Sequence, residues 1–347
     1  MAKPLVIQVI EEQRAGLLAH EEIVMRAMAE RWLQVENALR ADMMDLAFYL
    51  DELRQSGQII TIARLMQMER YQALIADARR EEEQYAAWLA QDLASDQRAL
   101  VGQGIMEAQD LITAALASEQ DAGILSLAFN RINVTAVNYM AGFAADGTPL
   151  YELLRESYPE SVLALTDNLV TGLAKGVGPR ATAAAMAEDM AGNLDRALLI
   201  ARTEQLRALR TGSLEQMRQS NVVSGYIRRA QRNATVCGAC LALDGTEVES
   251  ADPESFASHP NCQCYAQPKL TFGKTPAFQS GQDWFEEQPE NVQEQILGPG
   301  KFELYQNGEL DWGNLARVVE DPVWGMQIRQ GDGTPTGGRS ARRETGK

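Results

Sequence analysis

The residue types that bind metals are gathered in one stretch of this chain. All four cysteines and one of the two histidines lie between Cys237 and Cys264, in the order Cys237-x2-Cys240, eighteen residues, His259-x2-Cys262-x-Cys264. Two close pairs separated by a loop of this length is the spacing that a tetrahedral zinc ion requires. The first pair supplies two thiolates from one tight turn, and the second closes the other side. Five candidate ligands, Cys237, Cys240, His259, Cys262 and Cys264, stand for four places. His259 with Cys262 repeats the x2 spacing, whereas His259 with Cys264 leaves Cys262 packed inside. A thiolate-rich, closed set makes zinc a structural cofactor. Two other readings are reduced thiols filling a small core and a catalytic zinc or cysteine nucleophile. A catalytic zinc keeps an open position beside a carboxylate base. Glu247, Glu249 and Glu254 are near in sequence, but none stands in a metallohydrolase spacing. The expectation is therefore no enzymatic activity.

The elements that position this cluster are mostly helical. Residues 20–56 read as one long helix or two, with Ile23, Ala27, Trp32, Val35 and Leu39 near one face and a stop at Ser56-Gly57. A second stretch carries Ile59, Ile62, Leu65, Met66 and Met68, then Leu74, Ile75, Tyr85, Trp88 and Leu89. Its run Arg79-Arg80-Glu81-Glu82-Glu83 reads as a solvated helix face with local ion pairs. A third has Ile105, Ile112, Ala115 and Leu116 at helical spacing. Residues 124–143, with Phe129, Ile132, Val137, Tyr139 and Phe143, read as a buried helix, followed by a turn at Ala145-Asp-Gly-Thr-Pro149. Helix resumes from Tyr151 to Leu173 with a break at Tyr158-Pro159, and stops at Gly176-Val-Gly-Pro179. Pro179 suits the first turn of a further helix over about 180–219, with Met190, Leu194, Leu198, Ala201 and Leu209 on one side. His20 reads as a surface residue of the first helical stretch.

Beyond residue 220, Gly, Pro, Asp and Ser become frequent and the apolar runs shorten. Val222, Val223, Tyr226 and Ile227 read as a strand leading to the cysteines, and Leu241-Ala-Leu-Asp244-Gly245 as a hairpin turn. Gln282–Leu297 reads as one helix and Phe302–Gly308 as a second short helix or strand. From Gly331 onward the apolar pattern is lost and a disordered tail is expected. The fold class is mostly α: a long helical N-terminal part followed by a smaller α+β, zinc-stabilised C-terminal module. The expected divisions are 1–178, 179–330 with the metal loop 237–264, and the tail 331–347.

The bulk numbers agree with such a protein. A length of 347 residues leaves room for about two domains. The net charge of −16 favours solubility and argues against general nucleic-acid binding, where a basic face is expected. Arg228, Arg229 and Arg232, just before Cys237, would suit phosphate contact. The loop between the two ligand pairs is acidic, with Asp244, Glu247, Glu249, Asp252 and Glu254, so DNA contact is expected to be weak. The sequence has no apolar run long enough for a membrane span and no signal-peptide pattern at Met1–Ile7, so a reducing cytoplasm is expected for folding.

The chain runs through Ala201-Arg202-Thr203-Glu204-Gln205-x-Arg207-Ala208, then the paired cysteines, then Leu243-Asp244-Gly245, then His259-Pro260-Asn261-Cys262-Gln263-Cys264. Taken together, these segments resemble the Mu F-like phage head morphogenesis proteins. Gln263 stands where the family often has arginine. Trp284-x3-Gln288-Pro289, Gln295-Ile-Leu-Gly298 and Leu304-Tyr-x2-Gly308-Glu-Leu310 are similar to the family's closing block, so the resemblance spans about residues 190–320. It implies a minor capsid protein of a tailed phage or prophage, with 179–330 as the Mu F-like module. The implied partners are the portal protein and the major capsid or scaffolding protein, with no membrane. The implied places are the capsid interior or portal vertex of the virion, and the host cytoplasm during assembly, with ejection alongside DNA in some relatives. The competing expectation is a cytosolic zinc-containing nucleic-acid-binding protein. Within the signature, Arg202 and Glu204 either pair with each other, brace the metal module, or stand exposed.

Overall fold

A computed structural model describes residues 5–117, 141–144, 147–156, 159–175, 177–272, 279–321 and 325–335. The described chain is mostly helical, with small sheets near its C-terminal end. The helices are α1 (Leu5–Gln55), α2 (Ile62–Met66), α3 (Glu69–Ala117), α4 (Leu150–Arg155), α5 (Pro159–Lys175), α6 (Pro179–Gln219), α7 (Gly238–Ala242), α8 (Gly281–Glu286), α9 (Glu290–Leu297) and α10 (Pro299–Gln306). The strands are β1 (Val223–Arg229), β2 (Glu247–Val248), β3 (Tyr265–Leu270), β4 (Ala316–Asp321) and β5 (Gly325–Gln330). The expected helix over 124–143 falls almost entirely outside the described residues, as do Tyr158 and Gly176.

Contacts divide the chain into two compact units that interleave along the sequence. One unit holds Gly16–Gln97 and Met140–Gln205; the other holds Met1–Ala15, Arg98–Tyr139 and Leu206–Lys347. At about 1.5 Å per residue, α1, α3 and α6 are longer than one small core needs, and each gives residues to both units.

The first unit is helical. Met28, Trp32, Val35, Leu39, Met43, Leu46 and Leu50 recur every three or four residues of α1 and are buried, which makes one apolar stripe. Leu74, Ala78, Tyr85, Leu89 and Leu93 form the matching stripe of α3. Trp32 and Tyr85 meet edge to face at 4.9 Å, and the Tyr85 hydroxyl donates to the Met28 carbonyl at 3.2 Å. Three expectations are corrected here. Glu82 is buried rather than solvated, because it occupies the stripe position between Ala78 and Tyr85. Ile23 is exposed, because the stripe of α1 runs through Met25 and Met28. Ile59, Ile62 and Met66 are exposed, and only Leu65 of the short α2 is buried. His20 lies on α1 with its side chain 37% exposed, and its Nε2 is 2.7 Å from Oδ1 of Asp96. The break at Ser56-Gly57 holds, with Gly57 at a φ of 79°.

The second unit carries the sheets. β1 is the middle strand of an antiparallel sheet of order β2-β1-β3, and β4 pairs with β5. Val6 and Ile10 of α1, Ile112 of α3 and Met217 of α6 share one core with Tyr226, Cys240, Cys262 and Phe285. Within this unit α3 and α6 approach closely: a Cβ on Gly104 would stand 2.1 Å from the Leu209 carbonyl oxygen, and one on Gly212 would stand 2.2 Å from that of Val101.

Local expectations in this unit also need correction. Residues 238–242 form a short helix rather than a hairpin arm, and the turn that follows leads into β2. The single helix expected over Gln282–Leu297 is two, because Pro289 cannot continue α8 and instead caps α9. Residues 299–306 are helical, with Gly308 at a φ of 70° just beyond. Residues 331–335 of the expected tail are ordered: Gly331 N–H donates to Leu315 O, and Gly333 O accepts from Asp311 N. Among the described residues no helix is long and apolar enough to cross a membrane.

Candidate metal centre

The structure brings all five predicted donors together. The first pair is built at a helix start. Cys237 caps α7, and its sulfur accepts the backbone N–H of Cys240 at 3.3 Å. The x2 spacing therefore places both side chains on the same turn.

The second pair is built by a reverse turn. Cys262 N–H donates to the His259 carbonyl at 3.0 Å, with Pro260 and Asn261 as the central residues. Asn261 has a φ of 59°, the only positive φ among the described non-glycine residues. Proline followed by a residue at positive φ is the pattern of a type II turn. It turns His259 and Cys262 toward the first pair, and Cys264 then leads into β3.

His259 faces the first pair. Its Nε2 lies 3.3 Å from Sγ of Cys237 and 3.2 Å from Sγ of Cys240. Its Nδ1 lies 2.8 Å from the Pro260 carbonyl oxygen, which can only accept. In the neutral ring the proton thus sits on Nδ1, and the Nε2 lone pair points at the thiols. The sulfurs of Cys240 and Cys262 stand 3.9 Å apart. The donors form two overlapping groups able to hold a metal ion, Cys237–Cys240–His259 and Cys240–Cys262–Cys264, with Cys240 in both. Two thiolates bound at ~2.3 Å to one tetrahedral zinc stand about 3.8 Å apart, and a thiolate and an imidazole about 3.5 Å. The separations here fit the edges of such a tetrahedron.

The charges around the cluster are unequal. The Cys237 thiol is held down at about 4, first by its hydrogen bond with Cys240 and further by His259. Cys262 is held well below the usual thiol range by hydrogen bonds with Cys240 and Cys264. Cys240 is pushed up because Cys237, Cys262 and Cys264 surround it. Burial works against a charge on His259, but Cys237 and Cys262 outweigh it and raise the imidazole to about 10. Crowded thiols in a dry interior cannot all ionise unless a cation joins them.

Cations do line the cluster. Arg228, on the buried strand β1, donates to the Ala257 carbonyl at 2.6 Å and points Nη2 at the sulfurs of Cys240 (3.8 Å) and Cys262 (3.6 Å). Arg210 of α6 donates to the carbonyl oxygens of Cys262 and Cys264. Both guanidiniums lie over the Phe256 ring. Arg14 of α1 donates to the Gln263 carbonyl at 2.9 Å and lies over Tyr265.

These contacts revise several expectations. Arg228, Arg229 and Arg232 do not form a phosphate-facing patch. Arg228 and Arg229 are buried, and Arg229 donates to Gln267 at 2.8 Å. Arg232 pairs with Asp244 at 2.8 Å. Asp244 does more than make a turn: its side chain is 1% exposed and also accepts the Ala230 N–H at 3.1 Å. Arg202 and Glu204 each meet a residue of the long helices α1 and α3. Arg202 pairs with Glu21, and Glu204, itself buried, accepts from Gln97 at 3.1 Å. Arg202 and Glu204 are two residues apart, little more than half a helical turn, which directs them to different neighbours.

Two of the lining residues escaped the sequence reading. Arg210 interrupts the stripe Leu206, Leu214 and Met217, and a cation at such a position was the available signal. Arg14 gave none, since its partner is 249 residues away.

No curated protein and no solved structure matches the chain. The region with a family match contains every cysteine, His259, Arg210 and Arg228, starts earlier than the resemblance did, and ends before Trp284. Residues 164–267 match the family model described as Phage Mu protein F like protein, so that stretch of the chain is similar to the Mu F-like proteins.

Proposed function

We propose that this protein is a minor capsid, head-morphogenesis component of a tailed phage or prophage that joins the portal vertex and capsid during assembly. The observation that supports this reading is the family match over residues 164–267, with the whole donor cluster inside it. Its partners are the portal protein and the major capsid or scaffolding protein. Its place is the virion, after assembly in the host cytoplasm. It acts by binding rather than by catalysis.

In this reading the metal is zinc and its role is structural. Cys237, Cys240, His259, Cys262 and Cys264 come from the start of a helix, a reverse turn and the start of a strand, and one ion joins all three. The bound ion would fix segments that no long hydrophobic element spans. Buried thiolates also suit a closed site. The competing nucleic-acid reading is weakened because the arginines that suggested it are engaged inside the module. The test is co-purification with portal and capsid proteins from assembling particles. Recovery with the portal supports the proposal, and recovery only with nucleic acid, in a salt-dependent manner, overturns it.

A further inference from the structure

Arg228 is 5% exposed and Arg210 9% exposed, yet neither has a carboxylate partner among the described residues. A buried guanidinium without a counter-charge is strongly disfavoured, so a compensating anion must be near. The groups within reach of Arg228 that become anionic on metal binding are sulfurs. Its Nη1 is fixed by the Ala257 carbonyl, and this aims Nη2 between Cys240 and Cys262. Three or more thiolates on one divalent cation leave the centre negatively charged. The cation Arg228 and this anionic centre answer each other.

We infer that Arg228 is a positioning residue of the metal–thiolate centre, donating N–H···S hydrogen bonds to Cys240 and Cys262 and neutralising the excess negative charge. The inference rests on the metal reading above. Arg228 also withdraws electron density from the two sulfurs it touches. This lowers their nucleophilicity and makes them less reactive toward electrophiles. Arg210 differs: it holds the backbone of Cys262 and Cys264 and touches no sulfur.

Cobalt(II) bound to the full-length protein in place of zinc gives a direct readout, because thiolate-to-cobalt charge-transfer absorption follows the energy of the sulfur lone pairs. Arg228→Met is expected to shift that absorption to lower energy and to weaken metal affinity by about 10–100-fold. Arg228→Lys keeps a charge but cannot donate to Ala257 and both sulfurs together. It is expected to shift the band in the same direction, and it serves as the test if Arg228→Met does not fold. Arg210→Met is expected to lower stability without moving the band. Arg228 variants with the wild-type band position and affinity would overturn the inference alone. A wild-type protein that takes up no cobalt would overturn both this inference and the metal reading.

Discussion

The Nε2 of His259 lies 3.2 Å from the sulfur of Cys240, while the other ring nitrogen is held by the adjacent Pro260 carbonyl at 2.8 Å. One imidazole is thus oriented by its own backbone and aimed at a cysteine 19 residues earlier. The pairing is what a metal ligand with a fixed tautomer looks like, and it makes Cys240 the shared member of both donor groups.

Cys240→Ser should therefore be the most damaging single change at the cluster. Zinc content of protein purified under reducing conditions is expected to fall below about half an equivalent, with loss of cooperative unfolding in the sheet-bearing unit. Cys237→Ser and Cys264→Ser each touch one donor group and should lose less. Equal zinc content in Cys240→Ser and wild type would contradict this.

Metal uptake should release protons near neutral pH. In the metal-free protein His259 is raised to about 10 and Cys240 is pushed up, so both hold protons at pH 7. Binding requires the neutral imidazole and the thiolate. Affinity should consequently fall as pH falls. Titration calorimetry in buffers of different ionisation enthalpy checks this, and a heat independent of the buffer would speak against it.

Asn261 occupies the positive-φ position of the His259–Cys262 turn. Glycine is at ease there, whereas a β-branched residue is strained. Asn261→Gly should keep wild-type stability and metal content. Asn261→Val should lower stability by about 1–2 kcal/mol, read from the urea midpoint. A tolerated valine would mean the turn has another conformation.

Gly104 and Gly212 allow α3 and α6 to touch through their backbones. An added Cβ at either position meets a carbonyl oxygen that cannot rotate away. Gly104→Ala and Gly212→Ala should each cost about 1–3 kcal/mol, the usual range for overpacking. Thermal denaturation of the two variants would show it, and unchanged midpoints would refute the close approach.

Part of this was legible from local pattern. The donors of the metal centre are two short sequence clusters, so their spacing alone announced them. The stripes of α1 and α3 follow the helical period. What stayed hidden were polar residues in apolar positions. Glu82 and Gln97 lie on the buried stripe of α3, and Gln97 is satisfied by Glu204, 107 residues later. Arg228 and Arg229 occupy a strand covered on both faces, so alternation could not show which side faced the cysteines. Asp244 looked like a turn residue because its partners, Ala230 and Arg232, come from the other end of the loop. Long-range pairing, rather than propensity, decided each of these.

Mass spectrometry of purified particles decides whether this chain is a component of a phage head, as proposed above. The chain is expected in the particles at low copy number, beside the portal and major capsid proteins. Particles that lack it, made in cells where it is expressed, would contradict the claim.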